Sequence, residues 1–323
     1  MGGDLMGDAC ADTSAARSDG FAADVLDGLS QPRKRLSCRY FYDAVGSSLF
    51  DEITRLPDYY PTRAETEILE AHAGEMVDGA GEGAALVEFG SGSSRKTEIL
   101  LERARGLRAY APVDICAAAL EEARARLARR FPHLRIAPIV ADFSAPIALP
   151  PDLAAGEIIG FFPGSTIGNF TPEEATRLLA AMRLALGPGS RLVIGVDLKK
   201  DPVRLLAAYN DPRGVTAAFN LNLLARINRE LRGEFDLDAF GHQAIYDEAQ
   251  GRVEMRLVSR RRQEARAAGR AFAFGRGEAI HTESSYKYDI RGFRATARAA
   301  GWSPQRVWTD GEDLFSVHEL LSP

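Results

Sequence analysis

Cysteine is scarce in this chain: three residues in 323, Cys10, Cys38 and Cys116, lie far apart with no CxxC pair. Neither a disulfide framework nor a zinc knuckle follows from such a set. The five histidines are scattered without HxxxH or HExxH spacing, so no metal is expected. No apolar stretch reaches the roughly 18–20 residues of a membrane helix, and no bilayer span is expected. The start, Met1 to Asp8, lacks both a basic segment and an apolar run, so it does not read as a secretory signal. Basic charge is not in excess either: 40 Lys and Arg against 45 Asp and Glu leave a formal net charge of −5. That excludes a generally basic nucleic-acid binder. What remains, with 46% hydrophobic and 26% charged residues, is an ordinary globular composition. The expectation is a cytoplasmic monomer acting on a small molecule, with no nucleic acid, membrane or metal partner.

Residues 1–20 are rich in Gly, Ala, Asp and Ser without apolar periodicity, and read as a loose tail. From Phe21 to Asp58 the pattern is helical and broken, and Pro57 and Pro61 bracket Tyr59 and Tyr60 as an ordered linker. Strands and helices then alternate. Strands are predicted over Ala84–Phe89, Ala109–Val113, Arg135–Val140, Glu157–Phe162 and Arg191–Val196, with helices opening near Lys96 and over Ala117–Arg130 and Pro172–Leu186. Such alternation implies a parallel, doubly wound α/β sheet. After Asp197 the rhythm changes. Helices over Pro202–Tyr209 and Val215–Arg232 precede alternating, antiparallel-type strands at Gln243–Asp247, Val253–Ser259 and Ala271–Phe274. A last helix, Ile290–Ala300, leads to a hairpin of Gln305–Thr309 and Leu314–Leu320, so the block at about 200–287 looks like an insertion.

In an open α/β sheet, ligands sit outside the carboxyl ends of the strands. Those ends carry Gly90-Ser91-Gly92, Asp114, Asp142-Phe143 and Pro163-Gly164-Ser165-Thr166. Glycine lets backbone approach a ligand closely. Asp114 lies 22 residues past Gly92, close to the spacing of a ribose-binding acid in nucleotide sheets. The dinucleotide fingerprint GxGxxG is incomplete, because Arg95 stands where its third glycine belongs. That glycine serves packing beneath a pyrophosphate. Its absence favours a nucleoside without phosphates, such as S-adenosylmethionine, with Asp142 accepting from the adenine amino group and the Phe143 N–H donating to the ring.

Several strings are longer than a motif. They include Arg39–Phe50 (RYFYDAVGSSLF), Ile53–Glu65 (ITRLPDYYPTRAE), Glu88–Thr97 (EFGSGSSRKT), Phe162–Phe170 (FPGSTIGNF), Phe219–Asn228 (FNLNLLARIN) and His281–Lys287 (HTESSYK). Together they resemble the S-adenosylmethionine-dependent L-histidine Nα-methyltransferases of ergothioneine biosynthesis, from about Phe21 to the C-terminus. The resemblance implies a Rossmann-type methyltransferase sheet, 62–199 plus 288–323, and a smaller α+β substrate-binding domain, 21–61 plus 200–287. It implies three methyl transfers to the histidine α-amine, giving hercynine. By the same likeness Gly90, Lys96, Asp114, Asp142 and Phe143 would hold the cofactor. Tyr59, Asn169, Tyr209, Met255, Glu283, Ser284 and Ser285 would hold histidine, with Tyr42 as the catalytic group beside the amine.

The chemistry suits these residue types. An amine must lose its proton to attack a methyl group, and a tyrosine hydroxyl can relay it. Aromatic faces tolerate a growing methylated cation. A carboxylate at Glu283 and a hydroxyl at Ser285 match the two nitrogens of an imidazole. Taken singly, each residue has a plainer reading: Tyr42, Tyr59 and Met255 as core side chains, Lys96 and Glu283 as solvated charges. Two rival functions remain open: the same chemistry on another amino acid such as tryptophan or tyrosine, and a nucleoside-binding protein without catalysis.

Overall fold

The computed structural model describes residues 20–78, 81, 83–92, 95–154 and 156–323. The expected tail over 1–20 lies, but for Gly20, outside them. A helix over 20–30 (α1) precedes α2 (Ala44–Ile53) and α3 (Tyr60–Val77). Alternation follows: β1 (Ala84–Phe89), α4 (Arg95–Arg103), β2 (Leu107–Asp114), α5 (Ala117–Arg130), β3 (Arg135–Ile136), β4 (Ile139–Val140), α6 (Pro151–Ala154), β5 (Ile158–Phe162), α7 (Pro172–Leu186) and β6 (Arg191–Asp197). Helices α8 (Pro202–Tyr209) and α9 (Val215–Leu231) lead to β7 (Phe240–Asp247), β8 (Arg252–Ser259), β9 (Gln263–Ala267), β10 (Arg270–Phe274) and β11 (Ala279–Tyr286). The chain closes with α10 (Ile290–Ala299), β12 (Ser303–Thr309) and β13 (Phe315–Leu321). Among the described residues no helix is long and apolar enough to cross a membrane.

Two compact units result. One takes the described residues up to Asp58 with Val203–Asp247 and Val253–Ser284; the other takes Tyr59–Pro202, Glu248–Arg252 and Ser285–Pro323. The second unit is a Rossmann-type α/β sheet in the order β12-β13-β6-β5-β1-β2-β3, with β4 also on β2. The strands β6, β5, β1 and β2 are parallel, and β13 and β12 extend the edge as an antiparallel hairpin. Sequence alternation anticipated both features. Strand β1 is buried at every position, as a central parallel strand covered on both faces must be. From β1 the chain winds outward to β2 and β3, then returns to β5 on the other side. The crevice between the ends of β1 and β5 is therefore the topological switch point, where such sheets bind ligands.

Local chemistry sets the boundaries. Helix α7 opens with a capping box, Thr171 and Glu174 each satisfying the other's backbone N–H, with Pro172 in its first turn. The Trp302 indole N–H donates to the Leu179 carbonyl at 2.8 Å, tying the segment before β12 to α7.

Two expectations are corrected. The single strand over Arg135–Val140 is two short pieces, because Pro112 of β2 has no N–H to give to the Ala137 carbonyl between them; Ala137 N and Ala141 N themselves donate to the Tyr110 and Asp114 carbonyls, at 2.8 and 3.1 Å. Tyr60 does not belong to a linker: it is the first residue of α3, with the fixed φ of Pro61 pre-set for a helix's first turn.

The first unit holds a three-stranded sheet, β11-β8-β7, and the antiparallel pair β10-β9. Helix α2 packs on α9, and a Cβ on Gly46 would lie 3.2 Å from Asn222 Nδ2 of α9 and 1.7 Å from the carbonyl oxygen of Phe41 in the turn before α2. Replacing Thr171 by Ala removes one side of the capping box. Urea unfolding followed by tryptophan fluorescence should show a loss of about 0.5–2 kcal/mol.

Candidate active site

In the second unit, the turn after β1 is pinned by its own backbone. Gly90 and Gly92 have φ of +69° and +48°, values that favour glycine. The N–H groups of Gly90 and Ser91 donate to the Val113 carbonyl on β2, at 2.8 and 3.3 Å. Asp114, at the end of β2, accepts from Gly92 N at 3.1 Å and Cys116 N at 2.9 Å. A carboxylate has about four acceptor sites, so two backbone bonds orient this one while leaving it able to accept from a ribose. The Phe143 ring lies over Gly90, where a Cβ would meet its edge at 3.1 Å, and it packs edge-on against Phe162 at 5.4 Å. Asp142 accepts from the backbone N and hydroxyl of Ser144, at 2.9 and 2.5 Å. Thus the turn, Asp114 and Phe143 converge. A nucleoside fits them: a bare backbone at Gly92 with open space above it, an oriented acid, and an aromatic wall.

Three further carboxylates sit behind this edge. Glu88, fully enclosed in β1, accepts from the Thr97 hydroxyl at 2.6 Å and from the Tyr110 hydroxyl. Burial pushes its pKa up to about 7, against the pull of those bonds. Glu65 of α3 is also enclosed; it pairs with Lys96 and accepts from Gly164 N at 2.9 Å. Its carboxylate fills the space a Cβ on Gly195 would take, 2.0 Å from Oε1. Lys96, expected at the cofactor, is therefore tied to a buried acid. Asp197 ends β6 and accepts from Lys287 at 2.7 Å, Lys200 at 2.5 Å and the Tyr60 hydroxyl at 2.9 Å. Burial works to raise its pKa, but the two ammonium groups hold it below the usual carboxylate range.

Of the residues expected to bind histidine, this unit carries Tyr59, Asn169 and Ser285. Tyr59 precedes the first turn of α3, and its carbonyl accepts from Arg63 at 3.2 Å. Asn169 is half-buried at the end of a 3-10 turn, Thr166–Asn169, that follows Ser165 at φ 55°. Ser285 is buried and accepts from Lys287 at 2.7 Å.

The first unit carries Tyr42, Tyr209, Met255, Glu283 and Ser284. Tyr42 follows the turn Cys38–Phe41 and packs edge-on against Phe50 and Phe219, at 5.6 and 5.8 Å, with 36% of its surface exposed. Its ring packs against two phenylalanines, yet it is not a core residue. The next residue, Asp43, caps α2 and binds Asn222 at 2.8 Å and Arg229, which fixes the backbone that presents Tyr42. Tyr209 ends α8, and its carbonyl receives His242 Nε2 at 2.8 Å. The Asn220 amide nitrogen donates both to the Arg256 carbonyl and to His242 Nδ1, so the proton of His242 is on Nε2. Burial lowers the pKa of His242, which keeps that neutral form. Met255 is buried in β8, and its carbonyl accepts from Thr282, the residue before Glu283. Glu283 is half-buried near Cys38, whose thiol burial pushes up to about 12, with the Glu283 charge adding to the shift. The Ser284 hydroxyl lies 2.9 Å from His281 Nε2.

Sequence reasoning gave no role to Glu65, Asp197, Lys287, Asn220 or Asn222. Four of these stand in the strings quoted above; Asp197, a strand-end acid like Asp114, carried the same signal and was noted only as an ending. Among the described residues no group of three or more His, Cys, Asp or Glu is placed to hold a metal ion.

The profile of a family described as histidine-specific, SAM-dependent methyltransferases matches residues 21–322. A histidine N-alpha-methyltransferase of Mycobacterium tuberculosis is 44% identical over 91% of this chain and 92% of its own length. Ergothioneine biosynthesis protein 1 of Neurospora crassa is 30% identical over 89% of this chain but only 33% of its own. A 4-dimethylallyltryptophan N-methyltransferase of Aspergillus fumigatus is 27% identical over 92% of both.

The raised pKa of Glu88 has a consequence for stability. Its protonated form favours the fold fully below the ordinary value of 4.5, and that contribution is lost as pH rises through about 7. Glu88→Gln keeps an acceptor for both hydroxyls without the charge. Its thermal midpoint relative to wild type should rise between pH 4.5 and 8; a constant gap across that range would contradict the assignment.

Proposed function

Because the chain belongs to the histidine-specific, S-adenosylmethionine-dependent methyltransferases, we propose that it transfers three methyl groups to the α-amine of L-histidine. The product is hercynine, and the reaction is a step of ergothioneine biosynthesis, carried out by a cytoplasmic monomer. The observation that carries the reading is the Gly90–Gly92 turn joined to Asp114 and Phe143, within a chain whose β11 presents Glu283 beside the Met255 strand.

When bound, the cofactor supplies a methyl group on a positively charged sulfur, the electrophile an amine lone pair can displace. The chain's own residues bind, orient and deprotonate. Gly90, Asp114, Asp142 and Phe143 hold the nucleoside, and Lys96, steadied by Glu65, holds the carboxylate end of its amino-acid moiety. Glu283 accepts the imidazole N–H, while Asn169 and Tyr209 donate to the substrate carboxylate. Placement of two reactants in line supplies up to roughly 7–11 kcal/mol of barrier reduction. Tyr42, partly exposed and braced by two phenylalanine rings, passes the amine proton to solvent. Aromatic faces accept the increasingly apolar ammonium through successive rounds, each contact contributing about 0.5–2 kcal/mol.

The rival substrate is an indole amino acid. An indole offers a single N–H and no second polar nitrogen, so Ser285 would go unused. Calorimetric titration in the presence of S-adenosylhomocysteine should show histidine bound in preference to tryptophan, and the reverse order would overturn the substrate. Mass spectrometry of the histidine reaction should find a product carrying three added methyl groups; a final product with one or two would limit the enzyme to partial methylation. Glu283→Ala should weaken histidine roughly 10- to 100-fold, the cost of one charge-assisted bond, with S-adenosylhomocysteine affinity unchanged.

A further inference from the structure

The Asp197 cluster is a larger investment of buried charge than the sheet itself needs. The side chains of Lys287 and Asp197 are 0% and 1% exposed, and their ion pair is 2.7 Å long. Asp197 is already served without Lys287: Lys200 reaches Oδ1 at 2.5 Å, and the Tyr60 hydroxyl reaches both oxygens at 2.9 Å. Lys287 has a second bond, 2.7 Å to the hydroxyl of Ser285. An ammonium can only donate. Ser285 Oγ must therefore accept along that edge, and its own proton turns away from Lys287. A serine left to itself can donate or accept by rotating; this one must accept from Lys287 and can donate only elsewhere.

A neutral imidazole carries one N–H and one bare nitrogen, and only a donor serves the bare one. We propose that Lys287, held by Asp197, is a positioning residue that presets Ser285 as hydrogen-bond donor to the unprotonated ring nitrogen of the substrate histidine. The inference rests on the histidine reading above and deepens it: recognition is of the neutral imidazole, with Ser285 as donor and Glu283 as acceptor reading its two nitrogens in complementary senses. Asp197 also steadies a second expected substrate contact. Its backbone N–H donates to Ser165 Oγ at 2.9 Å, and Ser165 opens the 3-10 turn that ends at Asn169. Gly168 in that turn lies against the backbone beside Ser285, where a Cβ would be 2.8 Å from the Tyr286 carbonyl oxygen. One strand-end acid thus ties together the segments that present Asn169 and Ser285.

The test measures initial rates at saturating S-adenosylmethionine with varied L-histidine, for wild type, Lys287→Met, Lys287→Arg, Ser285→Ala and the Lys287→Met/Ser285→Ala double variant. Wild type is run first; if it does not methylate histidine, the function fails, and the positioning role falls with it. With wild type active, Lys287→Met should raise the histidine KM about tenfold with kcat within about threefold. Binding of S-adenosylhomocysteine should be unchanged, and Lys287→Arg should recover most of the loss. In the Ser285→Ala background the same Lys287→Met change should add less than twofold, since its effect runs through that hydroxyl. Should Lys287→Met not accumulate as folded protein, Lys287→Gln replaces it: its amide oxygen can accept the Ser285 proton, which an ammonium never does, so the histidine KM should still rise, by at least about threefold, and an unchanged KM overturns the inference. An unchanged KM, or equal losses with and without the Ser285 hydroxyl, would overturn the inference.

Discussion

Burying carboxylates along the carboxyl edge of a parallel sheet is the constraint around which the second unit is arranged. An ionised acid out of water is costly unless each oxygen finds a donor. The chain meets that demand in different ways a few residues apart. Asp197 has two ammonium groups and a phenol, and stays charged. Glu88 has two hydroxyls within hydrogen-bond reach, which offer polarity without full charge, and its pKa climbs to about 7. Asp114, only half-buried at the end of β2, needs no more than the backbone N–H groups of Gly92 and Cys116. The donors that compensate these acids belong to the segments that carry the expected ligand contacts.

The small residues serve that arrangement. Gly195 leaves room for the Glu65 carboxylate inside the sheet face, and through Glu65 fixes Lys96 and the Gly164 loop. Gly90 lets the Phe143 ring close over the turn. In the first unit, Gly46 lets α2 approach the turn that ends in Phe41, beside Tyr42. At each of these positions the absent side chain sets the place of a neighbouring group, and a methyl group there would displace it.

Much of the fold was legible because its signals are local. The parallel core is apolar in continuous runs, as in Ala84–Phe89, and the helix Pro172–Leu186 announces its start with Thr171, Pro172 and Glu174. The break after Ile136 was less so, since the proline behind it, Pro112, lies across the ladder in β2 and matters only where a neighbouring strand asks for its N–H. Helix α3 escaped for the opposite reason: it buries Glu65 as well as apolar residues, and a charged side chain in the buried stripe blurs the periodicity. The glycine turn and the acids after it pointed to a nucleoside by spacing alone. The residues expected to meet histidine rested on longer strings, because Tyr59, Asn169 and Glu283 share no spacing that chemistry would demand.

By itself the sequence determined the alternation of strands and helices, the acid and glycine ends of the strands, and membership of a methyltransferase family. Only the tertiary structure decided which charges meet: that Lys96 answers to Glu65, and that Lys287 reaches both Asp197 and Ser285. The physical reason is range. Hydrophobic period and turn chemistry act over a few neighbouring residues and leave their mark in order along the chain. A buried ion pair joins positions such as 197 and 287, and nothing along the chain records the partner until the strands are brought side by side.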